Sequence, residues 1–160
     1  MSIIRSCARR ICVLLVLAWS LPGLAPAPAG AAAGGQPPEA RAAAPLRLTI
    51  TAGGRELEAR LEDTPAVRAL LQRLPLEVSM ENLYDRELCH HLGSGALPAA
   101  DTRTDGYEVG DIIYWPPMGS LVILYAQNGE RFSRVHLGHI DGDLSFLGQA
   151  AALQVRWEAK

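Results

Sequence analysis

The residues best suited to chemistry are four histidines in two groups, His90-His91 and His136-x-x-His139. Neutral imidazoles bind zinc, copper or nickel, and Cys89 beside the first pair offers a thiolate. Strand geometry restricts how they combine. Neighbours on a strand, and residues three apart, point to opposite faces. Only a cross-pair such as His91 with His136 then converges. The metal candidates are therefore His90, His91, His136 and His139, set against the plainer reading of structural or surface histidines; no cofactor is expected. Cys89 and His91 share a strand face, as a thiolate–imidazole dyad requires. No surrounding motif marks a nucleophile, so Cys89 reads as a buried free cysteine. Asp141-Gly142-Asp143 lacks the further oxygen ligands of a calcium loop and reads as a turn. The chain carries no phosphate-binding glycine loop, dinucleotide fingerprint or zinc ribbon.

A second group is apolar. Tyr114, Trp115, Met118 and Tyr125 surround the break Pro116-Pro117. Adjacent strand residues face opposite ways, so Tyr125 and one of Tyr114 and Trp115 belong to the core. The other, with Met118, would line a groove for a peptide or a small apolar ligand. The cleft candidates are His91, Tyr114, Met118 and His136.

The elements that must position these residues are mostly strands. Leu46, Leu48 and Ile50 alternate to one face, Gly53-Gly54 supplies a hairpin turn, and Leu57, Ala59 and Leu61 alternate on the return strand. Asp63-Thr64-Pro65 is a helix start, a side-chain oxygen capping free N–H groups with proline in the first turn. Val67, Leu70, Leu71 and Leu74 then follow helical spacing until Pro75. Further strands are expected over 76–80, 87–92, 112–115 and 120–125, with a long surface loop over 93–108. The apolar run Leu121–Tyr125 suits a strand buried on both faces. Asn128-Gly129 predicts a hairpin into a strand over 132–140. A short helical turn over 144–147 and a last strand over 153–157 complete the domain. About eight strands and one early helix favour a closed antiparallel barrel, because closure removes exposed edges.

This layout resembles the cyclophilin fold, and more closely the bacterial cyclophilin-like proteins, small single-domain barrels of mostly unassigned activity. The resemblance is carried by the hairpin at Gly53-Gly54, the Asp63-Thr64-Pro65-Ala66 helix start and the block Val109-Gly110-Asp111-Ile112-Ile113-Tyr114-Trp115-Pro116-Pro117 through Tyr125. Val135-His136-Leu137-Gly138-His139-Ile140-Asp141-Gly142 adds a late strand. It implies a mainly β, closed cyclophilin-like barrel with one α-helix near its start and a short helical turn near its end. Cyclophilins that isomerise prolyl bonds use an Arg beside a Phe-His pair, a downstream Gln and a later Gln-Phe-Phe run. Here Cys89-His90-His91 is the best match to the first element, placing His91 where the catalytic Arg is expected; Arg86 reaches inward only in another register. Nothing matches the Gln or the Gln-Phe-Phe run. A neutral imidazole does not replace a guanidinium fork at a twisted amide. Arg86 and His91 thus remain the catalytic candidates of a weak or altered prolyl isomerase acting on envelope proteins. The preferred expectation is a peptide or small-ligand binding module, with a His-based metal module as a further alternative.

The 160 residues include 15 basic and 17 acidic side chains, a formal net charge of −2. That balance gives no general electrostatic reason to bind nucleic acid. The first part of the chain is compositionally distinct. Arg5, Arg9 and Arg10 precede an apolar run over 11–19, then Pro22-Gly23 and the small residues Ala25-Pro26-Ala27-Pro28-Ala29. This is the order of a secretory signal peptide over 1–29, followed by an Ala/Gly/Pro linker over 30–45 and the barrel domain over 46–160. The run is about half the roughly 20 residues that span a bilayer, so no stable membrane anchor is expected after cleavage. Cleavage near Gly30 removes three arginines and leaves 12 basic residues against 17 acidic ones, net −5. It also removes Cys7 and Cys12, leaving Cys89 unable to form an internal disulfide. The expected product is an exported monomer, periplasmic or secreted, that relies on its own core.

Overall fold

The computed structural model describes residues 46–160. The expected signal peptide over 1–29 and linker over 30–45 lie outside the described residues. β1 (Leu46–Ala52) and β2 (Arg55–Leu61) form the opening hairpin, with Leu46 opposite Leu61 and Ala52 opposite Arg55. Their alternating apolar residues point inward, so Leu48, Ile50 and Ala59 are fully buried. Helix α1 (Pro65–Leu71) starts at Thr64, whose hydroxyl accepts from the Val67 N–H at 3.2 Å. It buries Ala66, Val67 and Leu70. The helix stops at Leu71, earlier than Pro75, and a turn over 72–73 leads into β3.

β3 (Leu76–Leu83), β4 (Glu87–His91), β6 (Asp111–Trp115), β7 (Ser120–Leu124), β8 (Arg134–Ile140) and β9 (Ala152–Ala159) complete the ring, and a two-residue β5 (Thr102–Arg103) lies in the long loop. All but β5 run in the order β2-β1-β9-β3-β4-β7-β6-β8, closed by pairing of β2 with β8. Every pairing is antiparallel. A 3₁₀ turn over Ser145–Gln149 buries Leu147. The barrel interior is filled by side chains such as Trp157, Tyr114, Leu88, Ile112 and Leu121. The mainly β, closed eight-strand barrel with one helix and a late helical turn is thus the observed fold.

One expected connection is absent. Asn128-Gly129 does not join a β-hairpin, because β7 pairs with β4 and β6 while β8 pairs with β6, β2 and β5. Residues 125–133 form an irregular loop, and Phe132 and Ser133 precede β8. The Asn128 side chain is engaged elsewhere: its Oδ1 accepts from the Tyr107 hydroxyl at 3.0 Å and from Arg86 at 3.2 Å.

Candidate functional site

Outward-facing residues of β4, β7 and β6 form a second apolar layer on the outside of the barrel. Strand register explains it. Cys89 lies opposite Val122, and Val122 opposite Ile113, so these three make one row across the sheet. His91, Ser120 and Trp115 make the next row. Cys89, Ile113 and Val122 are buried with Tyr107 and Leu124, and Leu83 and Phe132 pack against them. β7 is therefore buried on both faces, as its continuous apolar run requires. Above the row lies a cleft of about 610 Å³ whose rim includes Tyr84, Trp115 and Met118. Tyr84 is 75% exposed, Met118 53% and Trp115 36%. A concave apolar floor with few polar groups is the usual form of a small-ligand or peptide site.

One end of the cleft carries charge. Arg86 is 7% exposed, and its Nε–H donates to Glu87 at 3.1 Å. Its Nη1 donates to Asn128 and to the Glu130 carboxylate. The rings of Tyr84 and Phe132 lie 5.3 Å from the guanidinium carbon and that of Tyr107 5.9 Å, within cation–π range. Burial pushes the Glu87 carboxyl up, and the charge and hydrogen bond of Arg86 only partly offset this. A buried pair such as Arg86–Glu87 leaves an uncompensated charge, at about 3–5 kcal/mol, if one partner is removed. The Arg86–Glu130 pair is different in kind. Its acid is largely exposed, and such pairs are worth about 0–1 kcal/mol.

At the other end, the His91 Nδ1 lies 2.8 Å from the Ser120 hydroxyl. Burial pushes the Cys89 thiol up, while its hydrogen bond with Ser120 works the other way. A thiol held up by desolvation stays protonated at neutral pH, so the row does not build an activated cysteine.

The β3–β4 turn places Tyr84 on the rim at a conformational cost. Tyr84 and Asp85 have φ of 57° and 52°, the left-handed region in which a bulky side chain is strained. The turn spans the three residues Tyr84, Asp85 and Arg86 between the paired Leu83 and Glu87, and left-handed turn positions are usually filled by Gly, Asn or Asp. Replacing Tyr84-Asp85 with Asn-Gly is expected to raise stability by about 1–2 kcal/mol while weakening occupancy of the cleft. Urea and thermal unfolding check the first part. A double variant no more stable than its parent removes the strain argument.

The remaining histidines lie elsewhere. His136 and His139 both reach Asp111 Oδ1, at 3.2 and 3.0 Å, on the outer wall of β6 and β8. The expectation that residues three apart face opposite ways fails here because β8 contains a bulge. Ile112 pairs with Gly138 but Ile113 with His136, leaving Leu137 unmatched. The extra residue resets the alternation, so both imidazoles point outward. Gly138 also lies opposite Leu61 at the closing seam, and a Cβ there would sit 2.3 Å from the Arg60 carbonyl oxygen. Asp111 Oδ2 accepts from the Glu108 N–H at 2.9 Å. Burial raises the Asp111 carboxyl, but hydrogen bonds from His136, the Glu108 N–H and His139 win and lower it to about 2. His136 Nδ1 faces Glu62 at 2.8 Å, so its two nitrogens meet two carboxylates. The hydrogen bond to Asp111 raises its pKa against the opposing effect of burial.

The sequence-predicted residues are thus distributed over four places. His91 and Met118 line the apolar cleft with Arg86, and His136 lies in a separate polar pocket of about 520 Å³. Tyr114 is fully buried in the barrel interior and does not reach the cleft; Trp115 takes the outward position. His90 turns away from His91, its Nδ1 lying 3.0 Å from the Ser79 carbonyl oxygen. His91 and His136 do not converge. Among the described residues, no group of three or more His, Cys, Asp or Glu side chains is arranged to hold a metal. Leu83, Tyr84, Glu87, Ser120, Glu130 and Phe132 are cleft residues that sequence reasoning missed. The one usable signal is the two-residue spacing of Glu87, Cys89 and His91, which puts them on one face of β4.

The model of the cyclophilin-like family matches residues 50–158. No curated protein matches the chain in sequence. The solution structure of a hypothetical protein from Archaeoglobus fulgidus superposes with a TM-score of 0.57 at 20% identity, covering 72% of this chain and 95% of that one. That likeness concerns the fold.

Proposed function

This chain belongs to the cyclophilin-like family, and from that premise we propose that its barrel is a binding module for a peptide or small apolar ligand. It works without accelerating prolyl isomerisation, as an exported monomer of the bacterial envelope. The observation that carries the reading is the cleft above the buried apolar row Cys89–Val122–Ile113, with its exposed rim of Tyr84, Trp115 and Met118.

Isomerisation is disfavoured by how the cations are held. Stabilising a twisted prolyl amide needs preorganised donors aimed at the reacting group. Arg86 is the guanidinium in the cleft, yet its Nε and Nη1 already serve Glu87, Asn128 and Glu130, and its charge is compensated on both sides. His91 commits Nδ1 to Ser120. The basic, apolar and small-residue order of residues 1–29 supports export, and closure of the sheet, which leaves no long free edge, supports a monomer.

A proline-peptide isomerisation assay tests the absence of catalysis, and Trp115 fluorescence reports peptide binding on the rim. We expect concentration-dependent quenching that is lost in Trp115→Phe, with no acceleration of cis–trans exchange. Acceleration that disappears in Arg86→Ala or His91→Ala overturns the binding-only reading and makes the protein a prolyl isomerase.

A further inference from the structure

The charged end of the cleft says which apolar ligands it takes. The buried Glu87 holds the Nε edge of Arg86 and fixes its orientation. The carboxylate on Nη1 comes from a different place. Glu130 lies on the irregular loop between β7 and β8, and its side chain is 63% exposed. A carboxylate from the protein's own surface therefore rests on the guanidinium at the end of an apolar groove.

We propose that this position is the seat of a ligand carboxylate. The cleft takes molecules with an apolar body that end in a carboxylate, and Glu130 is the resident stand-in that they displace. The inference rests on the binding reading above and adds the ligand's chemistry to it.

Three observations favour an anion over a cation. First, the group already seated on Arg86 is a carboxylate, and guanidinium and carboxylate match in shape as well as charge. Second, exchanging Glu130 for a ligand carboxylate leaves the local charge balance of Arg86 and Glu87 unchanged, so the displaced acid moves into water at little cost. Third, two of the three aromatic rings that line the cleft, Tyr84 and Phe132, are already grouped around Arg86 itself. The body of the ligand then lies along Phe132, Trp115 and Met118, burying apolar surface that Glu130 does not cover.

Two sources share this chemistry, a peptide C-terminus and a free apolar acid. Equilibrium dialysis of the full chain against matched pairs separates them: pooled N-acetylated tripeptides as free acids and as amides, and decanoic acid beside decanamide. We expect the acid of at least one pair to bind at least tenfold more tightly than its amide, and the pair that shows this identifies the source. Glu130→Gln, a change at an exposed side chain, is expected to widen the acid-to-amide ratio about tenfold further. Arg86→Gln combined with Glu87→Gln, which leaves no buried charge unpaired, is expected to bring it to one. Equal binding of acid and amide, or a ratio that narrows in Glu130→Gln, overturns the carboxylate seat and leaves the apolar cleft standing. Failure of every pair to bind removes both the seat and the cleft reading.

Discussion

Gly138→Ala is expected to lower stability by about 3 kcal/mol, a large share of the roughly 5–15 kcal/mol that holds a domain of this size. The added Cβ would lie 2.3 Å from the Arg60 carbonyl oxygen and 3.0 Å from the Leu61 Cα. Both are backbone atoms of β2, so no side-chain rotation relieves the clash; the β2–β8 seam must separate. That seam closes the barrel. Overpacking against a side chain costs about 1–3 kcal/mol, and a backbone neighbour puts this site at the upper end. Gly106→Ala is the control, since a Cβ at Gly106 meets nothing within 4 Å. Urea midpoints decide the matter. The seam argument fails if Gly138→Ala unfolds at the same urea concentration as Gly106→Ala.

The second large effect concerns Asp111 and appears as a change in how stability depends on pH. Asp111 is lowered from 3.8 to about 2 on folding. A depressed carboxyl contributes stability that is present above its unfolded value and lost as pH falls through the folded one, here about 2 kcal/mol disappearing between roughly pH 4 and pH 2. His136 is raised above 6.5. Its contribution is complete below 6.5 and is lost as pH rises through the folded value. The two shifts describe one coupled interaction and are not summed. These two groups by themselves contribute a plateau from about pH 4 to 6.5 with a fall on either side, on which the raised Glu87 carboxyl superimposes a decline that begins near pH 4.5. Asp111→Asn removes the charge that both limbs depend on, and we expect a profile lower by about 2 kcal/mol near pH 6 and flatter at both ends. Chemical denaturation across pH 3–8 is the measurement. Wild-type stability that does not decline above pH 6.5 contradicts the role assigned to His136.

Some parts of this molecule were legible because their signals are local. The β1–β2 hairpin needs only alternation and Gly53-Gly54, and α1 needs only Thr64 and Pro65 at its start. Both were read to within a residue or two, apart from the early end of the helix. What failed depended on partners distant in the chain. Asn128-Gly129 has the composition of a hairpin turn, but its neighbours are claimed by β4 and β6, and Asn128 binds Arg86 and Tyr107. The opposing directions expected of His136 and His139 follow from ideal pleating, which one unmatched residue in β8 overrides. Tyr84 is not a residue that announces a left-handed turn and Asp85 alone is a weak sign of one, so the rim of the cleft carries little sequence mark. Adjacency on one strand requires Tyr114 and Trp115 to face opposite ways. Which of them faces outward is set by the register of β6 against β7, and no local pattern encodes it.

The order of strands around the barrel also sets a timetable for its assembly. β1 pairs with β9, residues 48–52 against 155–159, and β9 is also the neighbour of β3. The earliest and latest segments of the domain are thus adjacent. Until β9 is available, β1 and β3 each keep one unpaired edge and the ring stays open. Loss of the last eight residues would have the same consequence permanently, exposing two facing strand edges. Closure of the barrel therefore requires the two ends of the domain to meet, a contact of large sequence separation.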